Sequence, residues 1–244
     1  MFASVYHVAV PEELRDQIAK ISPIVLAGEH LVPVSEVFHD VLPAGGLQRG
    51  WFVKMRGTGS VRALSWGLVA KASQAGGWVA VVDVCGINLS AAHELGVAIE
   101  RVLVIECPDR TQWSTVIASL IGAVDVVVFG APQHRVTPSE VRRMVSRARE
   151  RGSVLFELDD HSDHNRTPGR NSGIDAGVHD IEFTTSTVAW NGLGEGYGYV
   201  AERHMKVEAA GRRIGGRSRC AHFGLPAADG TICRLQEQSH LRAV

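Results

Sequence analysis

Residues 45–83, GGLQRGWFVKMRGTGSVRALSWGLVAKASQAGGWVAVVD, place the tightest limit on the fold. The run Trp51–Met55 has strand character and meets a glycine turn at Arg56–Ser60. A helix is predicted from about Val61 to Ala75, with Gly76 and Gly77 to end it. Val79–Val82 is then apolar at every position and closes on Asp83, as in a strand buried on both faces. A strand, a turn, a helix and a fully buried strand make a parallel crossover unit, which needs cover on each side.

The rest of the chain extends that unit. A short helix near Leu89–Leu95, the strand Val102–Ile105, a helix Thr111–Ile121 and the very apolar strand Val124–Phe129 follow in turn. Thr137-Pro-Ser-Glu140 reads as a capping box with proline at the first helical position. The helix it opens runs to about Arg151, stops at Gly152 and leads to the strand Val154–Leu158. Residues 159–177 are polar and glycine-bearing and read as a loop, and 208–219 as loose chain. Residues 181–190 and 197–207 read as antiparallel strands, with a further strand near Cys220–Leu225. The predicted fold is α/β: a mostly parallel twisted sheet with helices on both faces, plus a C-terminal antiparallel hairpin. It divides into 1–40 (an N-terminal helix, Pro11–Ser22, and a connector), the core 41–190 and the hairpin and tail 191–244, in one compact domain.

A strand that turns through glycine into a helix is where a phosphate loop would sit. That loop needs G-x-x-x-x-G-K-[ST]. Counted from Gly57, the second glycine, the lysine and the hydroxyl fall on Arg62, Ala63 and Leu64. Counted from Gly59 they fall on Leu64, Ser65 and Trp66. Neither register supplies the chemistry.

Composition narrows the classes further. A formal net charge of -1 gives no overall attraction to nucleic acid, so any such binding must come from a local patch. The four cysteines are widely spaced without a CxxC, against a disulfide framework. The N-terminus lacks the pattern of a signal peptide, and no apolar stretch approaches the ~20 residues that span a bilayer. A cytoplasmic protein without membrane association is expected.

GGLQRGWFVKMRG, LVAKASQAGGWVAVVD, LGVAIERVLVIECP and GAVDVVVFG, in that order, resemble successive parts of the RecA ATPase core over about residues 42–160. Three features depart from it. The phosphate loop has lost its lysine, Gly130 stands where RecA has the aspartate that orients magnesium, and Cys85 replaces an acid. Without these groups little offsets the phosphate charge and nothing orients the attacking water. The resemblance therefore implies no ATPase activity, no enzyme and no cofactor. Only Ala131–Val136 stands where RecA has its first DNA-binding loop.

RRMVSRARERGSVLFEL, followed by WNGLGEGYGYVAERHMKVEAAGRR and a final hairpin, resembles the ImuA family in its ImuA-prime form. The resemblance implies a non-catalytic RecA-like adaptor in damage-induced translesion synthesis. Its expected partner is an ImuB-like Y-family pseudo-polymerase and, through it, an error-prone C-family DNA polymerase, with DNA or RecA as further partners. Two other readings stay open: a SulA-like inhibitor of cell division, and a RecA paralogue that binds single-stranded DNA.

Several groups are candidate sites. Gly57, Gly59 and Arg62 could hold an anion weakly at a helix start, or the glycines could serve the turn alone. Arg142, Arg143, Arg147 and Arg151 lie on the predicted helix 138–151, the last three at i, i+4 spacing. They suit phosphates, an acidic partner or plain solvation. Arg203, Lys206, Arg212 and Arg213 form a second basic region, the first choice for DNA contact, and Arg217 and Arg219 extend it. Asp159, Asp160, His161, Asp163 and His164 are dense enough to suggest a metal, but irregular spacing favours a hydrated loop, and no metal is expected. Leu14, Ile18 and Ile21 make an apolar helix face for a partner or for the chain's own sheet. The tryptophans are expected in the core, and an exposed one would mark an interface.

Overall fold

The computed structural model describes residues 31–236 apart from 43–44, 59–60, 108, 133, 135, 161–173, 175–176, 194–197 and 216. The N-terminal helix, Gly59, and the histidines of the acidic run lie outside those residues.

Strands β1 (Leu31–Pro33) and β2 (Gly46–Gln48) form a small antiparallel pair. The main sheet begins with β3 (Phe52–Gly57), followed by helix α1 (Val61–Gln74) and β4 (Val79–Val82). Next come α2 (Leu89–Glu94), β5 (Val102–Ile105), α3 (Trp113–Leu120) and β6 (Val126–Gly130). Helix α4 (Pro138–Arg151) and β7 (Val154–Asp160) complete the alternating part. Four antiparallel strands then follow: β8 (Ile181–Leu193), β9 (Gly198–Ala210), β10 (Arg219–Gly224) and β11 (Cys233–Leu235). The order across the sheet is β11-β10-β9-β8-β3-β7-β6-β4-β5, and every pairing from β8 to β5 is parallel.

Alternation along the strands explains the two-layer cover. Val53, Met55, Val79, Val81, Val126, Val128, Val154 and Phe156 pack on one face with Leu64 and Leu68 of α1. Phe52, Ala80, Val82, Val127, Phe129 and Leu155 pack on the other, beneath Trp113 and Ile117 of α3 and Val141, Val145 and Ala148 of α4. The apolar strands β4 and β6 have helices on both sides, whereas β5, equally apolar, lies at the sheet edge and leaves Val104 exposed.

Helix α4 begins as the sequence predicts. The Glu140 N–H donates to Thr137 Oγ1 at 3.3 Å, and the Thr137 N–H returns a bond to Glu140 Oε2 at 2.8 Å. Gly152 closes the helix in the left-handed region at φ 76.

Two expectations need correction. Asp159 and Asp160 are not loop residues: they are the last, buried residues of β7. The C-terminal hairpin β8–β9 is present as expected, β10 is the strand expected near Cys220–Leu225, and β11 joins them in a four-stranded antiparallel wing on the same sheet. Residues 208–219 are not loose throughout, since β9 runs to Ala210 and a single 3-10 turn covers Arg212–Ile214. The 190/191 boundary falls inside β8. Among the described residues, no helix is long and apolar enough to cross a membrane.

Candidate functional site

In a sheet of this kind ligands bind beyond the carboxyl ends of the strands, where neighbouring crossovers leave on opposite faces. Here β4 is followed by α2 on one face and β6 by α4 on the other, so that position lies beside Asp83 and Gly130. The chain itself fills it. A Cβ on Gly130 would stand 2.5 Å from the Asp83 carbonyl oxygen. Asp83 adopts φ 49, and its Oδ1 accepts the Cys107 N–H at 2.7 Å. Burial, then the Asp83 carboxylate, pushes the Cys107 thiol above its ordinary pKa. No side chain fits at Gly130 while these two strand ends remain so close.

The turn after β3 is closed in the same way. Gly57 has φ 153, and a Cβ there would collide with the Oγ1 and carbonyl oxygen of Thr185 on β8. In the first turn of α1, Arg62 Nη1 donates to the Cys85 carbonyl at 2.7 Å. Its Nη2 lies 3.1 Å from Asp160 Oδ2. Arg62 thus spends its charge inside the protein, bridging α1, the segment after β4 and the end of β7. The anion reading of this turn loses its cation to that bridge.

On the opposite face the ends of β3, β7 and β8 carry a ladder of charges. Lys54 pairs in register with Glu157 and Arg56 with Asp159. Lys54 Nζ sits 4.0 Å from Glu157 Oε1 and 3.9 Å from Asp159 Oδ2, and donates to the Ile174 carbonyl at 3.3 Å. Arg56 reaches Asp159 at 3.9 Å and Glu182 at 3.3 Å. His179 Nε2 lies 2.8 Å from Glu157 Oε2, with its ring 4.3 Å from that of Phe52. Buried carboxylates need such partners. Asp159 and Asp160 are therefore structural counter-charges, and among the described residues no group of His, Cys, Asp and Glu is arranged to hold a metal ion. Lys54, Glu157 and His179 were not among the site residues expected from the sequence. The signal was there: a charge inside the buried strands WFVKMRG and VLFELDD demands a partner across the ladder.

The basic candidates separate. Arg142, Arg143, Arg147 and Arg151 are exposed on the outer side of α4. Arg203 departs from the expectation of a surface contact. It is only 6% exposed, its Nε donates to the Leu225 carbonyl at 2.8 Å, and its guanidinium lies 5.2 Å from the Trp190 ring. Burial holds its pKa below the ordinary value, with Asp160 pulling the other way. Lys206 pairs with its own-strand neighbour Glu208. Arg212 and Arg213 turn to the opposite edge of the sheet, onto buried Asp180, where Arg149 of α4 joins them. That convergence of distant residues was invisible in the sequence.

Of the tryptophans, Trp51, Trp66 and Trp113 are buried, whereas Trp190 is 50% exposed. It shares β8 with exposed Val188. β3 pairs with β8 only through Thr185, and among the described residues no strand covers that edge from Ser186 onward.

Residues 40–163, from just before β2 to just past β7, match the family described as the MT3502 N-terminal domain. The uncharacterized protein Rv3395c of Mycobacterium tuberculosis (strain ATCC 25618 / H37Rv) is 36% identical over 150 residues, covering 61% of this chain and 69% of that protein. Gly57, the Arg62 bridge and Gly130 lie within the matched segment, whereas Thr185, which closes the glycine turn, lies beyond it. On the length and identity of these matches, the chain belongs to the MT3502 N-terminal domain family.

Proposed function

We propose that this protein is a non-catalytic RecA-like adaptor of the ImuA-prime type, supporting damage-induced mutagenic translesion synthesis by binding an ImuB-like Y-family pseudo-polymerase. Through that partner it serves an error-prone C-family polymerase. The observation that carries the reading is Arg62. An ATPase of this layout directs a cation at phosphate from the first turn of this helix. Here the cation is neutralised by Asp160 at 3.1 Å and held by the Cys85 carbonyl. A fold that keeps the crossover unit while its phosphate position is filled by its own chain suits holding rather than hydrolysis. The uncovered edge of β8 with Val188 and Trp190 offers a partner both backbone hydrogen bonds and apolar area.

Co-purification with an ImuB-like protein tests the assignment. A stable complex supports it, and failure to associate at micromolar concentration removes it. Steady ATP turnover by the purified chain that falls on Arg62→Ala would overturn the non-catalytic reading.

A further inference from the structure

We propose that Arg149, Arg212 and Arg213 form an anion site that takes a backbone phosphate of nucleic acid at the amino-terminal edge of the parallel sheet. This edge is opposite the glycine turn, and the inference does not depend on the adaptor reading.

The site is a pocket of about 210 Å³ lined by Arg149, Asp180, Arg212 and Arg213. Asp180 is its floor. One oxygen, Oδ2, is occupied by the Phe52 N–H at 3.0 Å. The other, Oδ1, faces Arg149 Nη2 at 3.3 Å, Arg213 Nε at 3.5 Å and Arg212 Nη2 at 3.9 Å. Arg212 Nη2 also donates to the Val178 carbonyl at 3.2 Å. One carboxylate thus faces three guanidiniums, which leaves a local charge of +2.

A single oxygen cannot satisfy fifteen guanidinium N–H groups, five on each arginine. The three side chains are about half exposed, at 48%, 62% and 53% for Arg149, Arg212 and Arg213. Their remaining donors face the pocket and solvent. Like charges held this close repel, and a second anion above Asp180 relieves that repulsion while accepting the spare N–H groups. The dipole at the carboxyl end of α4 accounts for Arg149, but Arg212 and Arg213 come from a different element.

The surroundings favour nucleic acid over an acidic protein. Along the same edge, Arg49 lies against Gly152 and pairs with Asp125 at 2.8 Å, and Arg151 packs on Gly122. Among these described residues, four arginines pair with two carboxylates, Asp180 and Asp125, and Arg151 adds a fifth cation. None of the exposed large apolar side chains, Leu31, Leu89, Val104, Val188 and Trp190, belongs to it. Protein interfaces have apolar, aromatic-rich centres, whereas nucleic-acid backbones are met by rows of arginine. Guanidinium forks also match phosphate oxygens in pairs.

The test uses the full chain with a fluorescent oligothymidylate, titrated at several salt concentrations, alongside inorganic phosphate and polyglutamate as competitors. The expected result is salt-dependent binding. The Arg212→Ala/Arg213→Ala variant should lose about tenfold in affinity and lower the salt slope by about two. Arg149→Lys, which keeps the charge and removes the fork, should weaken binding several-fold. Arg234→Ala, on β11 at the far edge of the sheet, should leave affinity within twofold. Unchanged affinity in the double variant, with an unchanged melting temperature, overturns the proposal. So does polyglutamate that competes as well as unlabelled oligonucleotide, which would assign the site to an acidic protein. Displacement by millimolar inorganic phosphate alone would overturn the nucleic-acid assignment in favour of a small-anion site.

Discussion

Arg62 and Asp160 meet at 3.1 Å across the top of the sheet, one from the first turn of α1 and the other from the last residue of β7. The pair ties the helix that follows β3 to the strand beside β3. Asp160 is 8% exposed and Arg62 28%, so removing the arginine takes one cation away from a mostly buried carboxylate. Arg62→Ala should cost about 1–3 kcal/mol of stability. ATP with magnesium should leave the melting temperature of both wild type and variant in place. A nucleotide-dependent rise in the wild type would show that the bridge opens for phosphate.

Gly130 tests the closed cleft from the other side. Restoring an acid with Gly130→Asp places a Cβ 2.5 Å from the Asp83 carbonyl oxygen, and the obstacle is backbone. The variant should lose about 2–4 kcal/mol and gain no magnesium affinity. Chemical denaturation and a magnesium titration check both halves. Wild-type stability together with new magnesium binding would mean that the two strand ends move apart readily.

These two tests bear on what the sequence made legible. Periodicity and glycine placement located α1, β4, β5 and α4 closely, because local signals decide them: Thr137 with Glu140, Gly152, and the unbroken run Val79–Val82. Pairing across distance was not local. Asp159 and Asp160 read as loop because they are charged, and only the approach of Lys54, Arg56 and Arg62 makes their burial in β7 tolerable. Arg203 read as surface for the same reason, yet it is sequestered by the Leu225 carbonyl. The basic region 203–213 looked like one patch, but Arg203 lies within β9 beside Trp190 of β8, whereas Arg213 lies in the turn after β9, against Asp180.

Arg203→Ala separates structural from contact arginines. It removes a buried bond at 2.8 Å and the stacking on Trp190. It should lower stability by about 2–3 kcal/mol, whereas Arg212→Ala should change it by less than about 1 kcal/mol. Equal melting temperatures for the two variants would contradict the buried placement.

His204 and His222 give the wing a pH response. Their nitrogens Nε2 and Nδ1 lie 2.9 Å apart on β9 and β10, so the contact needs at least one neutral ring. Burial and then His222 lower the His204 pKa from 6.5, with Glu202 opposing. A base whose folded pKa is depressed binds protons more readily when unfolded. The stability it supports is complete above about pH 6.5 and is lost as pH falls through the lower folded value. Melting temperature should therefore drop between neutral and mildly acidic pH, less steeply in His204→Gln. A parallel fall in wild type and variant would remove His204 as the cause.

Val188 and Trp190 share the uncovered stretch of β8 beyond Thr185. An apolar strand edge open to solvent invites pairing with another chain, and lysine is the residue that blunts it. Val188→Lys lies far from the packed faces, so its stability should stay within about 0.5 kcal/mol of wild type. If the adaptor reading holds and the partner adds a strand here, the same change should cut recovery of an ImuB-like protein in co-purification about tenfold, because a charge would be buried without a counter-ion. Trp190→Ala should weaken the complex comparably by removing aromatic area. Full recovery with both variants would move the partner site off β8 while leaving the adaptor reading itself to the wild-type co-purification.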